Sequence, residues 1–233
     1  MARVRDPRRL GDLVDAALRV FGRVGFARAQ VADIAREAGV STGTVYNYVE
    51  GKEALMLLCA TRAFDRDPTE LSLPVPAPGW DETLQTLEAA LERFVVLPTL
   101  EQALARATPP ADAAGELRAI VEELYDLVAT TRQGATALER SAVDLPELAE
   151  AYFGRARRRV LDQLAAYLED RIAGGVLAPV PDVPTAARFI AESVTWFARH
   201  RHGDPDGVDI PEPDARTTTV ALVVRAFSAP SPR

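Results

Sequence analysis

The chain has 233 residues, 48% hydrophobic and 26% charged, which excludes a collagen-like or wholly disordered polymer and allows two domains of ordinary size. No run of eighteen apolar residues occurs, and the arginine-rich start lacks a following apolar block, so we expect no membrane span or secretory leader and place the chain in the cytoplasm. The net charge of −7 is uneven: residues 1–65 hold ten basic and eight acidic side chains and the remainder seventeen and twenty-six, so any polyanion-binding surface belongs to the first part.

In chain order, Leu10, Leu13, Val14, Ala17, Phe21 and Val24 recur at three- and four-residue spacing and predict an amphipathic helix over 8–24. Val31, Ile34, Ala35 and Ala38 form the stripe of a short second helix, closed by Gly39. Ser41 offers a side-chain cap for a third helix over 42–49, with Val45 and Val49 on one side, and a fourth helix starts near Lys52. Cys59, the one cysteine, excludes an intrachain disulfide and sits among apolar residues as a buried small side chain.

Four prolines between Pro68 and Gly79 mark the domain boundary. The predicted division is therefore a first domain over 6–66, a linker over 67–79 and a second domain over 80–233. Helical patterns follow near 80–97, 99–108, 112–134, 146–173, 184–201 and 214–228, separated by proline or glycine, with no convincing strand. The expected fold class is all-α.

The functional signal lies between Gln30 and Val49: a helix, a turn at Gly39 to Ser41, and a second helix, the layout of a helix-turn-helix. At about 100° per residue, Asn47 and Gly43 fall on the side opposite Val45. Tyr46 and Thr44 flank them, and Thr42 lies in the first turn. That polar surface around a glycine suits the major groove of double-stranded DNA, where Asn pairs with adenine and Thr meets thymine or a hydrogen-bonding edge. Tyrosine hydroxyls reach phosphates, and Lys52 at the next helix start is placed to hold one. Arg3, Arg5, Arg8 and Arg9 are candidates for additional salt-dependent contacts.

Asp33-Ile34-Ala35, Ala38 to Ser41, Gly43 to Tyr48 and Lys52 to Leu55 together resemble the TetR family over about residues 8–60. The resemblance implies a dimeric repressor of a pseudo-palindromic operator, released when a small-molecule effector enters the second domain. It also implies phosphate contacts from Tyr46, Tyr48 and Lys52, and a four-helix dimer interface built from 184–201 and 214–228. Phe189, Val194, Phe197, Val220, Val223, Val224 and Phe227 are the expected apolar surface there. Where the family often has threonine before the second helix, this chain has Ala29-Gln30, which removes a usual cap and phosphate contact.

Among the aromatic residues, Phe94, Tyr125, Tyr152 and Trp196 are candidates to line an effector pocket, with packing in the core as the plainer alternative. His200 and His202 read as helix-end residues rather than metal ligands. No nucleophile turn, phosphate-cradling loop or metal-ligand spacing is present, so neither catalysis, a cofactor nor a metal is expected. The competing expectation is a helical ligand carrier or enzyme of the same fold that lacks DNA binding.

Overall fold

The structure is a computed structural model that describes residues 7–63 and 72–228. The described residues are all-α, without a sheet; only two isolated bridges occur, Val49 with Val75 and Leu177 with Ser228. Arg3 and Arg5 of the sequence argument, and the start of the proline-rich stretch, lie outside the described residues.

Eleven α-helices are described: α1 (Pro7–Val24), α2 (Val31–Glu37), α3 (Thr42–Tyr46), α4 (Lys52–Ala63), α5 (Trp80–Phe94), α6 (Pro98–Leu104), α7 (Ala113–Ala142), α8 (Pro146–Ala149), α9 (Arg158–Ala173), α10 (Val183–Ala198) and α11 (Glu212–Phe227). A π-helical stretch, Glu150–Arg157, joins α8 to α9, and a 3-10 turn, His200–Gly203, follows α10. The continuous helix expected over 146–173 is thus three pieces with different hydrogen-bond steps. Helix α7 also runs eight residues past its expected end at 134, to Ala142.

The chain divides into two compact units, 1–94 with 133–156, and 95–132 with 157–233. This differs from the expected boundary in the proline-rich stretch. The reason lies in the packing: Leu87 of α5, Ala137 and Ala142 of α7, and Leu148 of α8 are buried in the same apolar core as Leu13, Phe21, Ile34 and Leu55. Helices α1 to α4 therefore share one apolar core with α5 and the 133–156 segment.

In the first unit the α1–α2 loop is held closely. Gly25 has a positive φ of 80°, and a Cβ there would stand 2.9 Å from the Arg140 carbonyl oxygen, so the turn requires glycine both for conformation and for space. The Phe26 amide donates to Ser141 Oγ at 3.0 Å, and Arg28 pairs with Asp144 at 2.9 Å. The Phe26 ring stacks on Trp80 with centroids 5.3 Å apart.

The second unit has its own core, centred on Leu117, Ile120, Leu164, Leu168, Ile190 and Val194. It also contains a buried ion-pair cluster. Arg171 of α9, 1% exposed at its side chain, donates to Glu116 of α7 at 2.8 Å and to the Ala103 carbonyl at 2.8 Å. Arg106 donates to the other Glu116 oxygen at 2.9 Å. The hydrogen bond that Arg171 donates to Glu116 holds its guanidinium still more firmly charged than usual.

Candidate nucleic-acid interface

Helix α2 ends in a paired backbone motif: the Val40 amide donates to Ala35 O at 2.9 Å and the Gly39 amide to Arg36 O at 3.2 Å, with Gly39 at φ 66°. This closure satisfies orphan carbonyls and turns the chain sharply. Ser41 then caps α3, its Oγ accepting from the Thr44 amide at 3.2 Å. The start of α2 uses a different device. Asp33 reaches back to accept from the Gln30 amide at 3.2 Å, which supplies part of the capping that Ala29-Gln30 lacks.

The orientation of α2 is pinned to α1 by Glu37, which accepts from Arg19 at 2.7 Å and Arg23 at 3.2 Å. These hydrogen bonds, with the two positive charges, hold the Glu37 carboxyl below its usual range. A carboxylate with a depressed folded value stabilises the fold above its unfolded pKa, and that contribution is lost as pH falls through the folded one. Glu37→Gln is therefore expected to lower the melting temperature slightly at neutral pH and to converge on the parent as pH falls below about 5, so that its acid limb is flatter. An acid limb identical to the parent's would count against the staple.

Helix α3 is shorter than the expected 42–49. It stops at Tyr46, because the Val75 amide donates to Tyr48 O at 2.8 Å and the Glu50 amide to Val75 O at 2.9 Å, drawing 48–50 into a bridge. Val45 and Val49 are buried beneath it, while Thr42, Gly43, Tyr46 and Asn47 are exposed. Thr44 is half-buried, with its hydroxyl within 2.9 Å of Ser41 Oγ.

Two residues of the expected set are placed otherwise. Tyr48 is 7% exposed and belongs to the same core as Val45 and Val49, about 60° from Val45 around the helix. Lys52 directs its ammonium at the carbonyls of Phe26, Ala27 and Ala29. Cys59 is buried, its thiol 3.6 Å from Val14 O. A polar group on this loop that sequence reasoning missed is Arg28, whose partner Asp144 lies 116 residues away.

The four aromatic pocket candidates are not gathered in one unit. Phe94 and Tyr152 belong to the first, Tyr125 and Trp196 to the second. Tyr125 is buried, and its hydroxyl donates to Glu212 at 2.9 Å; burial and that carboxylate push its phenol up to about 12, so it remains a donor at neutral pH. Trp196 is 36% exposed on α10. His202 lies beside Glu212 and Arg132, and among the described residues no cluster of three His, Cys, Asp or Glu side chains is suited to a metal. No described helix is long and apolar enough to cross a membrane.

A glycine-closed turn joining two short helices, the second showing a polar face over buried valines, defines the helix-turn-helix class of nucleic-acid-binding proteins. Residues 13–59 match the profile of bacterial regulatory proteins of the tetR family, and residues 115–229 match the C-terminal domain of AefR-like transcriptional repressors. The HTH-type transcriptional regulator BetI of Agrobacterium fabrum is 46% identical over 52 residues, 22% of this chain and 25% of that protein. Its counterpart in Brucella anthropi is 44% identical over 52 residues, 22% of this chain and 27% of that protein. The matches to these curated relatives thus span only about a quarter of their length.

Among solved structures, SCO3833 from Streptomyces coelicolor A3 is 20% identical with a TM-score of 0.55, over 91% of this chain and 89% of that one. A TetR-like regulator from Rhodococcus sp. RHA1 is 20% identical with a TM-score of 0.53, over 96% and 98%. Those likenesses concern the fold. The chain belongs to the TetR family of transcriptional regulators.

Proposed function

We propose that this regulator is a homodimeric repressor that reads a pseudo-palindromic operator through α2 and α3 and is released by a small-molecule effector bound in its helical remainder. The observation that supports this most is the exposed face of α3, where Gly43, Thr42 and Asn47 present small and hydrogen-bonding groups above Val45. Tyr46, half exposed beside them, is placed to contact a phosphate. Selecting duplexes from a random pool with the purified protein tests the reading. Two protected half-sites about one helical turn, ~34 Å, apart are expected. Binding without salt-sensitive sequence preference would place the chain with non-DNA-binding proteins of the same fold.

For the dimer, α10 and α11 remain the proposed surface, with a changed set of residues. Val194, Val220, Val223, Val224 and Phe227 are buried within the chain, whereas Phe189, Trp196 and Leu222 are exposed at 55%, 36% and 59%. Large exposed apolar side chains on adjacent helices are what a self-complementary interface buries. Phe189→Glu is expected to weaken self-association by about tenfold or more, since a charge replaces an apolar anchor. Sedimentation of parent and variant across a dilution series measures this, and equal dissociation constants would remove α10 from the interface.

A further inference from the structure

Lys52 is the only lysine of the chain and the first residue of α4. A cation there faces the positive end of the helix dipole, so the position itself gives it no favourable electrostatics. Its half-buried side chain turns the ammonium instead to Phe26 O at 2.9 Å, Ala29 O at 3.2 Å and Ala27 O at 3.3 Å. The same nitrogen stands 4.5 Å from the centre of the Phe26 ring. An ammonium has three donors, and three carbonyls of one loop engage them, so no donor is left over for a phosphate.

That loop is the one that delivers Gln30, the N-cap of α2. Ser141 and Trp80 hold the loop at Phe26 and Asp144 holds it at Arg28, while Lys52 holds its carbonyls from α4. We propose that Lys52 is a positioning residue of the reading head: it clamps the carbonyls of residues 26–29 and thereby sets where α2, and α3 after it, stand on α4. Its consequence for recognition rests on the DNA-binding reading above. The fork of an arginine does not reproduce a compact ammonium among three converging carbonyls, although it serves a phosphate well.

Lys52→Met and Lys52→Arg separate the possibilities, using a duplex selected by the parent protein and a scrambled duplex of equal length. Both variants are expected to bind the selected duplex about tenfold more weakly and to keep the parent's affinity for the scrambled one, with an unchanged salt slope, because misplaced reading groups lose base contacts and not phosphates. Parent-like binding by Lys52→Arg, together with a slope shallower by about 0.9 in Lys52→Met, would identify a phosphate contact and overturn the proposal. Parent-like binding by both, with only lowered thermal stability, would also overturn it.

Where no duplex is selected, the DNA-binding reading fails and the clamp is judged alone in the free protein. The Ala29 amide, which donates to Gly25 O at 3.1 Å, is then the reporter. Its hydrogen exchange is expected to quicken at least about tenfold without the clamp, and an unchanged rate overturns the proposal. Should Lys52→Met fail to fold, Lys52→Arg carries the same readouts with the charge retained.

Discussion

Glu116→Ala is expected to lower the unfolding free energy of the second unit by about 3–5 kcal/mol, because it leaves a buried guanidinium without its counter-charge. The side chains of Arg171 and Glu116 are 1% and 6% exposed, so water screens this pair little. Arg171 would keep Asp170 and the Ala103 carbonyl, but Asp170 lies on the surface and Arg106 would lose its acceptor as well. Among the described residues, the carboxylate of Glu116 is the group that both arginines share. Joint replacement of the pair by Leu and Met should recover most of the loss, since two apolar side chains in a buried site need no counter-charge. Denaturant unfolding of the single and double variants measures both; a single-variant loss below about 1 kcal/mol would reduce the cluster to an ordinary surface pair.

Asn47→Ala is expected to lower specific DNA affinity by about 1–3 kcal/mol, the usual worth of a bidentate base contact, while leaving binding to unrelated sequence intact. Asn47 follows the last turn of α3 and is exposed, so its removal opens no cavity, and stability should stay within about 0.5 kcal/mol of the parent. A competition experiment with selected and scrambled duplexes reads the difference directly. An unchanged preference between them would move the reading surface away from this face of α3.

The first four helices were legible because their information is local. Stripes such as Leu10, Leu13 and Ala17 repeat every three or four residues, and Gly39 and Ser41 act within one turn of the backbone they close. The end of α3 was not legible, because the group that draws Tyr48 and Glu50 away from the helix is Val75, about twenty-five residues on. Lys52 shows the same limit. Its place in the motif implied a phosphate, yet its partners are backbone carbonyls 23 to 26 residues upstream, and carbonyls carry no residue-specific sequence signature. The division into units escaped for a related reason: α7 reads as one helix, and only packing distinguishes its end, which joins the first core, from its start, which joins the second.

Among the candidate site residues, Thr42, Gly43, Tyr46 and Asn47 stand where the helical period put them, since exposure on a short helix follows from which neighbours are apolar. Trp196 and Phe189 carry the opposite lesson. Period alone assigns both to a helix with many apolar residues, and it cannot say which side is covered within the chain.

The turn between α1 and α2 makes three separate attachments to residues 140–144: the close approach of Gly25 to the Arg140 carbonyl, the Phe26 amide on Ser141, and the Arg28 pair with Asp144. One is a close approach that leaves no room for a side chain, one a hydrogen bond to a buried hydroxyl and one an ion pair at the surface. A shift of the end of α7 would thus be felt at the start of α2 through these contacts. In the dimer proposed above, the distance between paired reading heads would then depend on where that helix end stands.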